Sequence, residues 1–186
     1  MPPYVVTSNI EAREAGVNRL TPQNGAVITY TVIHSLAAAL LGLGTGIFVV
    51  LSLLERPVWP LMRSPASPRV SDGEARAVHA VLKRVIRMLP PTMMTTMAAV
   101  SALLIALVVA TGASAGMLGV AGLFFVQLVL IATRLRRDIR GVEEVPSDGD
   151  AVRVRSGLAT LAILHHRGLL MTGSTLSALL AVPALA

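Results

Sequence analysis

The chain has 186 residues, a net charge of +6, 54% hydrophobic and only 14% charged residues. Soluble domains carry roughly a quarter charged residues, so this composition belongs to a membrane protein of one compact unit. There is no cysteine, which excludes disulfides, thiolate metal sites and cysteine nucleophiles; with 3% aromatic residues there are too few stacking platforms for a nucleic-acid partner.

Residues 1–24 form a polar N-terminal segment in which Glu11 and Glu14 offset Arg13 and Arg19. No basic start leads directly into a short apolar core with an Ala-x-Ala site, so an ordinary cleaved signal peptide is not expected. Thr21-Pro22 reads as a helix start. Residues 25–186 are read as a single four-span membrane domain.

The first span covers 25–54, thirty residues without Asp, Glu, Lys or Arg. At 1.5 Å per residue it reaches about 45 Å, enough to cross with tilt. Ala38, Gly42 and Gly46 recur every four residues and form a groove where a helix of the same subunit is expected to pack. Glu55-Arg56-Pro57 ends the span, and Trp59 fits an interfacial anchor.

Residues 60–73, with three prolines and Gly73, read as a loop. From Glu74 to Leu89 the pattern is an amphipathic cytoplasmic helix, with Val78, Val81, Val85 and Leu89 as its apolar stripe. His79 belongs to its solvated side. Pro90-Pro91 is expected to kink or restart the helix, with Thr92, Thr95 and Thr96 satisfying freed carbonyls.

Met88 to Thr133 is 46 residues without a charged side chain, more than twice what one crossing needs. Thr111-Gly112-Ala113-Ser114-Ala115-Gly116 breaks it into a hairpin with spans at 92–111 and 115–135. Gly116, Gly119 and Gly122 leave room for a neighbouring helix. Arg134, Arg136, Arg137, Asp138 and Arg140 follow, with Arg134–Asp138 a candidate pair and Gly141 a candidate C-cap. After the acidic loop 142–150, a last helix starts near Asp150 and provides the fourth span at 160–182, with Pro183 near its end.

Seven Lys or Arg fall in 55–87 and seven in 134–167, and only Arg13 and Arg19 lie elsewhere. Four spans put both basic loops on one side. The positive-inside rule makes that side cytoplasmic, with both termini outside a plasma membrane. Fifteen Arg against one Lys point to a GC-rich bacterial genome. The fold class is therefore all-α: an integral membrane four-helix transmembrane bundle, its second span entered through an amphipathic cytoplasmic helix.

Ionisable groups inside a membrane are functional candidates. His34 lies in the first span, where Thr31, Gln127 or a backbone carbonyl could also hold it as a structural group. His165 and His166 are adjacent, about 100° apart on a helix, and next to Arg167. No His-x-x-x-His pair or Glu-x-x-His repeat, no Walker motif and no Gly-x-Ser-x-Gly elbow is present. No cofactor is expected on this pattern, although it leaves copper, iron or haem open.

The segments Leu-Leu-Glu-Arg-Pro-Val-Trp-Pro-Leu (53–61), Arg-Val-Ile-Arg-Met-Leu-Pro-Pro-Thr-Met-Met (84–94) and Leu-Ala-Ile-Leu-His-His-Arg-Gly-Leu-Leu (161–170), with the Arg-rich exit of the third span, carry a resemblance. In layout over residues 28–182 the chain resembles the small four-span anthrone-oxygenase-like membrane proteins, most of them without a known function. It has Ala132-Thr133-Arg134 where that family commonly has a Pro-Ile-Asn-like exit, and no Trp near 161. The resemblance implies oxygen-dependent oxidation of a hydrophobic substrate, anthrone to anthraquinone, without metal or flavin. His165 or His166 with Arg167 would carry it, and burial adds His34. The implied partners are the lipid bilayer and a hydrophobic small molecule. The alternative is a non-enzymatic membrane subunit or scaffold, packing through its glycine-rich helix faces and compatible with a homo-oligomer.

Overall fold

A computed structural model describes residues 8–182, with side chains from residue 25 onward apart from Pro90 and Arg136. The charges at Glu11, Arg13, Glu14 and Arg19, the Thr21 cap, Pro183 and both chain ends lie outside this description. The order is α1 (Ser8–Leu54), a 3-10 turn (Arg56–Val58), α2 (Pro60–Arg63), α3 (Asp72–Ala110), α4 (Ala115–Glu143) and α5 (Ala151–Ala181). All regular structure among the described residues is helical.

Among the described residues, three stretches are long and apolar enough to cross a membrane: Gly25–Leu54, Pro91–Ala110 and Ala115–Leu135. The protein is thus membrane-associated, and the first three expected spans are found within a residue or so of their expected limits. The expected fourth span exists as the helix α5 but does not reach the same apolarity. Two histidines and Arg167 interrupt it, and its buried residues include Thr172 and Thr175. The physical reason is its position. α5 packs against α1, α3 and α4 along its length, so much of its surface meets protein instead of lipid.

The core has two layers. One joins Tyr30, Ala37 and Leu41 of α1, Val100, Leu104 and Leu107 of α3, Met117, Val120 and Phe124 of α4, and Met171 and Leu179 of α5. The other lies at the basic end. There Val58, Leu61 and Val70 meet Ala75, Leu82 and Ile86 of α3, Val142 of α4, and Val154, Leu158 and Leu161 of α5. Both basic segments therefore belong to one end of the molecule. Arg155 fastens this layer. Its guanidinium donates to the Pro65, Ser67 and Val70 carbonyls and pairs with Asp72, closing the 64–71 loop over α5. Residues 60–73 are accordingly less loop-like than their prolines suggest.

Several local expectations change. α1 passes through Thr21-Pro22 without starting there. α3 begins at a capping box, in which the Glu74 N–H donates to Ser71 Oγ and Glu74 Oε2 accepts from the Ser71 N–H at 2.9 Å. The Ser71 N–H and, second, the Ser71 hydroxyl, which donates to Glu74 Oε2 at 2.8 Å, hold the Glu74 carboxyl below the ordinary range. The buried stripe of α3 is Ala75, His79, Leu82 and Ile86, and Val81 faces outward. Reading His79 as solvated displaces the stripe around the helix. Pro90-Pro91 does not break α3. Thr95 and Thr96 donate to the carbonyls of Pro91 and Thr92, one turn back, rather than to carbonyls the prolines free. Gly141 is inside α4, which ends at Glu143, and Asp138 lies 3.8 Å from Arg137 instead of pairing with Arg134. Asp150 does cap α5, accepting from the Val152 N–H.

The hairpin turn forms as expected. α3 stops at Ala110, Ser114 caps α4 through the Met117 N–H, and both Gly112 (φ 59°) and Ala113 (φ 58°) are left-handed. Glycine adopts this conformation freely, whereas for alanine it costs roughly 1 kcal/mol. Ala113→Gly should stabilise the protein by about 1 kcal/mol or slightly less. Thermal unfolding in detergent would check this, and a lowered midpoint would be the contrary result.

Candidate functional site

Phe48, Ser52 and Glu55 recur at helical spacing and share one face of α1. His165, Gly168 and Thr172 do the same on α5. The two faces meet in antiparallel register. A Cβ placed on Gly44 would lie 3.3 Å from Thr172 Cγ2, and one placed on Gly168 would lie 2.3 Å from the Phe48 ring. Gly168 therefore seats Phe48, and no larger residue fits without displacing that ring. One step further along this seam, His165 Nδ1 stands 2.6 Å from Glu55 Oε1.

Glu55 is fully buried and His165 is 7% exposed. An isolated carboxylate at this depth would carry a large desolvation penalty, so the imidazole is what makes it tolerable. With Nδ1–H donating to Oε1, the ring presents its lone pair at Nε2. That nitrogen makes no hydrogen bond among the described residues. Glu55 Oε2 is buried and unpartnered as well. Phe48 stands beside the imidazole, with ring centroids 6.3 Å apart, and makes the wall of this spot apolar. A carboxylate that orients an imidazole through one nitrogen and leaves the other free is the arrangement of a general base.

His166 takes another direction, as adjacency requires. Its Nδ1 donates to the Ala162 carbonyl at 2.8 Å, its Nε2 lies 3.4 Å from Ser52 Oγ, and Trp59 meets it edge-on. It orders the junction where α1 ends and the chain turns. Arg167 is exposed beside it. His165, His166 and Arg167 thus share one level of α5, but only His165 enters the dyad.

His34 is elsewhere. It donates from Nε2 to the Leu179 carbonyl at 3.3 Å and lies against Tyr30, so of the expected partners a backbone carbonyl holds it. Twenty-one residues of α1 separate it from Glu55, about 30 Å along the axis. Gln127 is not its neighbour; it donates to Leu123 O and Ser174 Oγ. Among the described residues, no three His, Asp or Glu side chains converge as a metal-binding group would require.

Glu55 is the member that sequence reading misses, because it looks like a helix stop at the interface. What the sequence does show is a lone acid at the end of one apolar stretch and a histidine within the last helix, with nothing in it to pair the two. His79 departs from its expected place too. It is 0% exposed, Nδ1 lies 3.1 Å from Ser147 Oγ, and Nε2 has no partner. Next to it Lys83 Nζ donates to the Val145 carbonyl at 2.8 Å.

No protein-family model, curated protein or solved structure gives a significant match to this chain.

Burial, and then the charge of Lys83, hold the His79 imidazole below its ordinary range; the nearby Val142 carbonyl offsets this in part. The unfolded chain takes up the proton near pH 6.5, before the folded one does. The stability contributed by neutral His79 is therefore complete above about pH 6.5. It is lost as pH falls from there through the lower native value. His79→Gln should flatten the unfolding midpoint over that range relative to the unaltered protein. An unchanged acid slope in the variant would contradict the assignment.

Proposed function

We propose that this chain is a four-span integral membrane protein, similar to the anthrone-oxygenase-like group, that uses the Glu55–His165 dyad to oxidise a hydrophobic carbon acid with molecular oxygen. The observation that carries the reading is the buried 2.6 Å contact between Glu55 and His165, with Nε2 left as a base. The fourth span is supported by Met171 and Leu179 of α5, which share a core layer with the other three helices. The plasma-membrane orientation, with basic loops cytoplasmic and termini outside, is supported by the packing of both basic segments into one layer.

In this reading His165 Nε2 removes a proton from the CH2 group conjugated with the substrate carbonyl (in anthrone, across the central ring from it), and Glu55 holds the resulting imidazolium. Arg167, two residues further on and exposed on the opposite side of α5, adds positive charge at this level of the helix but does not face His165 Nε2. The enolate carbon gives its electron pair to oxygen and forms a C–O bond. The imidazolium returns its proton to the outer peroxide oxygen, and loss of water, breaking the remaining C–H bond and the O–O bond, leaves a second carbonyl. One oxygen molecule is consumed for each ketone and water formed, so the stoichiometry closes without a further reductant. His166 and Ser52 order the helix junction, and His34 serves the opposite end of α1.

A second reading, a non-enzymatic subunit or scaffold that packs through glycine faces, rests on one specific finding. A Cβ added at Gly42 or Gly46 of α1, or at Gly119 or Gly122 of α4, would meet nothing within 4 Å, so of the expected Ala38–Gly42–Gly46 groove only Ala38 packs against the core and the two glycines leave open space. Those positions remain available to a second copy or another membrane helix.

Oxygen uptake by the protein in lipid vesicles, with anthrone as probe substrate, separates the two. The first reading expects saturable uptake that falls about 10²-fold or more in His165→Gln and Glu55→Gln. A folded wild-type protein with no uptake above those variants would discard the enzyme and leave the scaffold. Elemental analysis and an absorption spectrum of the same sample would reveal copper, iron or haem. Because the chain has no cysteine, orientation is read from single substitutions. Ala113→Cys should react with an impermeant maleimide on intact cells, whereas Ser64→Cys and Asp148→Cys should not; the reverse pattern would invert the topology.

A further inference from the structure

Gly141 poses a problem that the fold leaves unsolved. It lies inside α4, ends no helix and has open space where a Cβ would be. Glycine is less favourable than alanine within a helix, yet Gly141 stands where a side chain would have room. Gly141 borders a cleft of about 370 Å³ between the end of α4 and the start of α5. Gly157 faces it from α5, close against Val142. The missing side chain at Gly141 leaves the cleft open on the α4 side, and Gly157 lets Val142 pack close on the α5 side.

The walls are charged in a balanced way. Arg137 and Arg153 stand with Asp138 and Glu144, and the hydroxyls of Ser156 and Thr160 add donors. The level is also defined. The third apolar stretch ends at Leu135, so Arg137 and Asp138 come within the next turn, at headgroup depth. A polar cleft at this level, beside a lipid-facing helix, is where a phospholipid headgroup meets protein.

We propose that this cleft binds the headgroup of a phospholipid that carries a primary ammonium, of the phosphatidylethanolamine type. The two guanidiniums take the phosphate, for which the arginine fork is suited. The two carboxylates take the ammonium, which offers three donors. Among the described residues, the lining charges are equal in number and match a zwitterion better than a net-anionic lipid. A quaternary choline cannot donate to the carboxylates, and it is recognised by aromatic cages, whereas among the described residues no aromatic side chain lines this cleft. The site is independent of the Glu55–His165 dyad.

The test is thermal unfolding of the purified full-length chain in detergent, with short-chain phosphatidylethanolamine, phosphatidylcholine, phosphatidylglycerol or inorganic phosphate added. Phosphatidylethanolamine at saturation should raise the midpoint by about 5 °C, with smaller shifts from the other three. Arg153→Gln should lose that shift. Because such a variant could also fold poorly, Gly141→Leu is the second arm. It fills the cleft where a Cβ meets nothing and improves the helix, so it should unfold at an equal or higher temperature and still lose the lipid response. An equal shift from phosphatidylcholine would overturn the ammonium contact. A larger shift from phosphatidylglycerol would overturn the zwitterion match, and an equal shift from inorganic phosphate would make the site one for free anions. A full phosphatidylethanolamine response in Gly141→Leu would overturn the site itself.

Discussion

A carboxylate buried at the end of a membrane helix has few ways to exist, and here it has one, the imidazole of His165. That requirement fixes more than a single contact. Glu55 must finish α1 at the level where His165 passes on α5, so the antiparallel register of these helices is set there. Phe48 against Gly168 and Gly44 against Thr172 continue the same register inward. The seam resembles a zip whose charged end cannot slide, because a shift by one turn would leave an acid and a base separately buried. Such polar pairs are a poor source of net stability, but they discriminate strongly between one packing arrangement and its neighbours.

Around this seam the molecule separates into an apolar layer and a basic layer with different chemistry. In the first, dispersion and close helix approach do the work, because lipid offers no hydrophobic drive between helices. The second is held by hydrogen bonds between segments far apart in sequence. Arg155 satisfies three carbonyls of the 64–71 loop, and Lys83 satisfies Val145 on the other side. Charges that appear in sequence as a topology signal thus also close backbone groups that would otherwise be unpaired.

The helices, the hairpin turn and the Asp150 cap are readable because each depends on residues close together in the chain. The pairing of both basic segments at one end is readable for a different reason: charge counts survive without knowledge of contacts. Glu55 is not readable as a partner, since 110 positions separate it from His165. His79 misleads because a histidine between cationic neighbours scores as solvated, and only Val142, Leu158 and their layer reveal that the face is covered. The glycines divide in the same way. Gly42 and Gly46 have the spacing of a packing motif but touch nothing, whereas Gly44 and Gly168, without that spacing, make the close approaches. α5 is foreseeable as a helix. The polarity of its middle is intelligible only once it is seen surrounded by three others.

α3 belongs to both layers. Its 39 residues extend about 58 Å, of which the Pro91–Ala110 stretch accounts for about 30 Å. One continuous rod therefore passes from the basic end to the far side of the apolar layer. Prolines at 90 and 91 cannot donate to the carbonyls of Ile86 and Arg87, so the rod lacks two rungs of its ladder at the boundary between layers. A helix is most easily bent where rungs are missing. The missing rungs mark the weakest point of α3 at the boundary between the layers, and α4 and α5, which also run unbroken through both, are what splint it there.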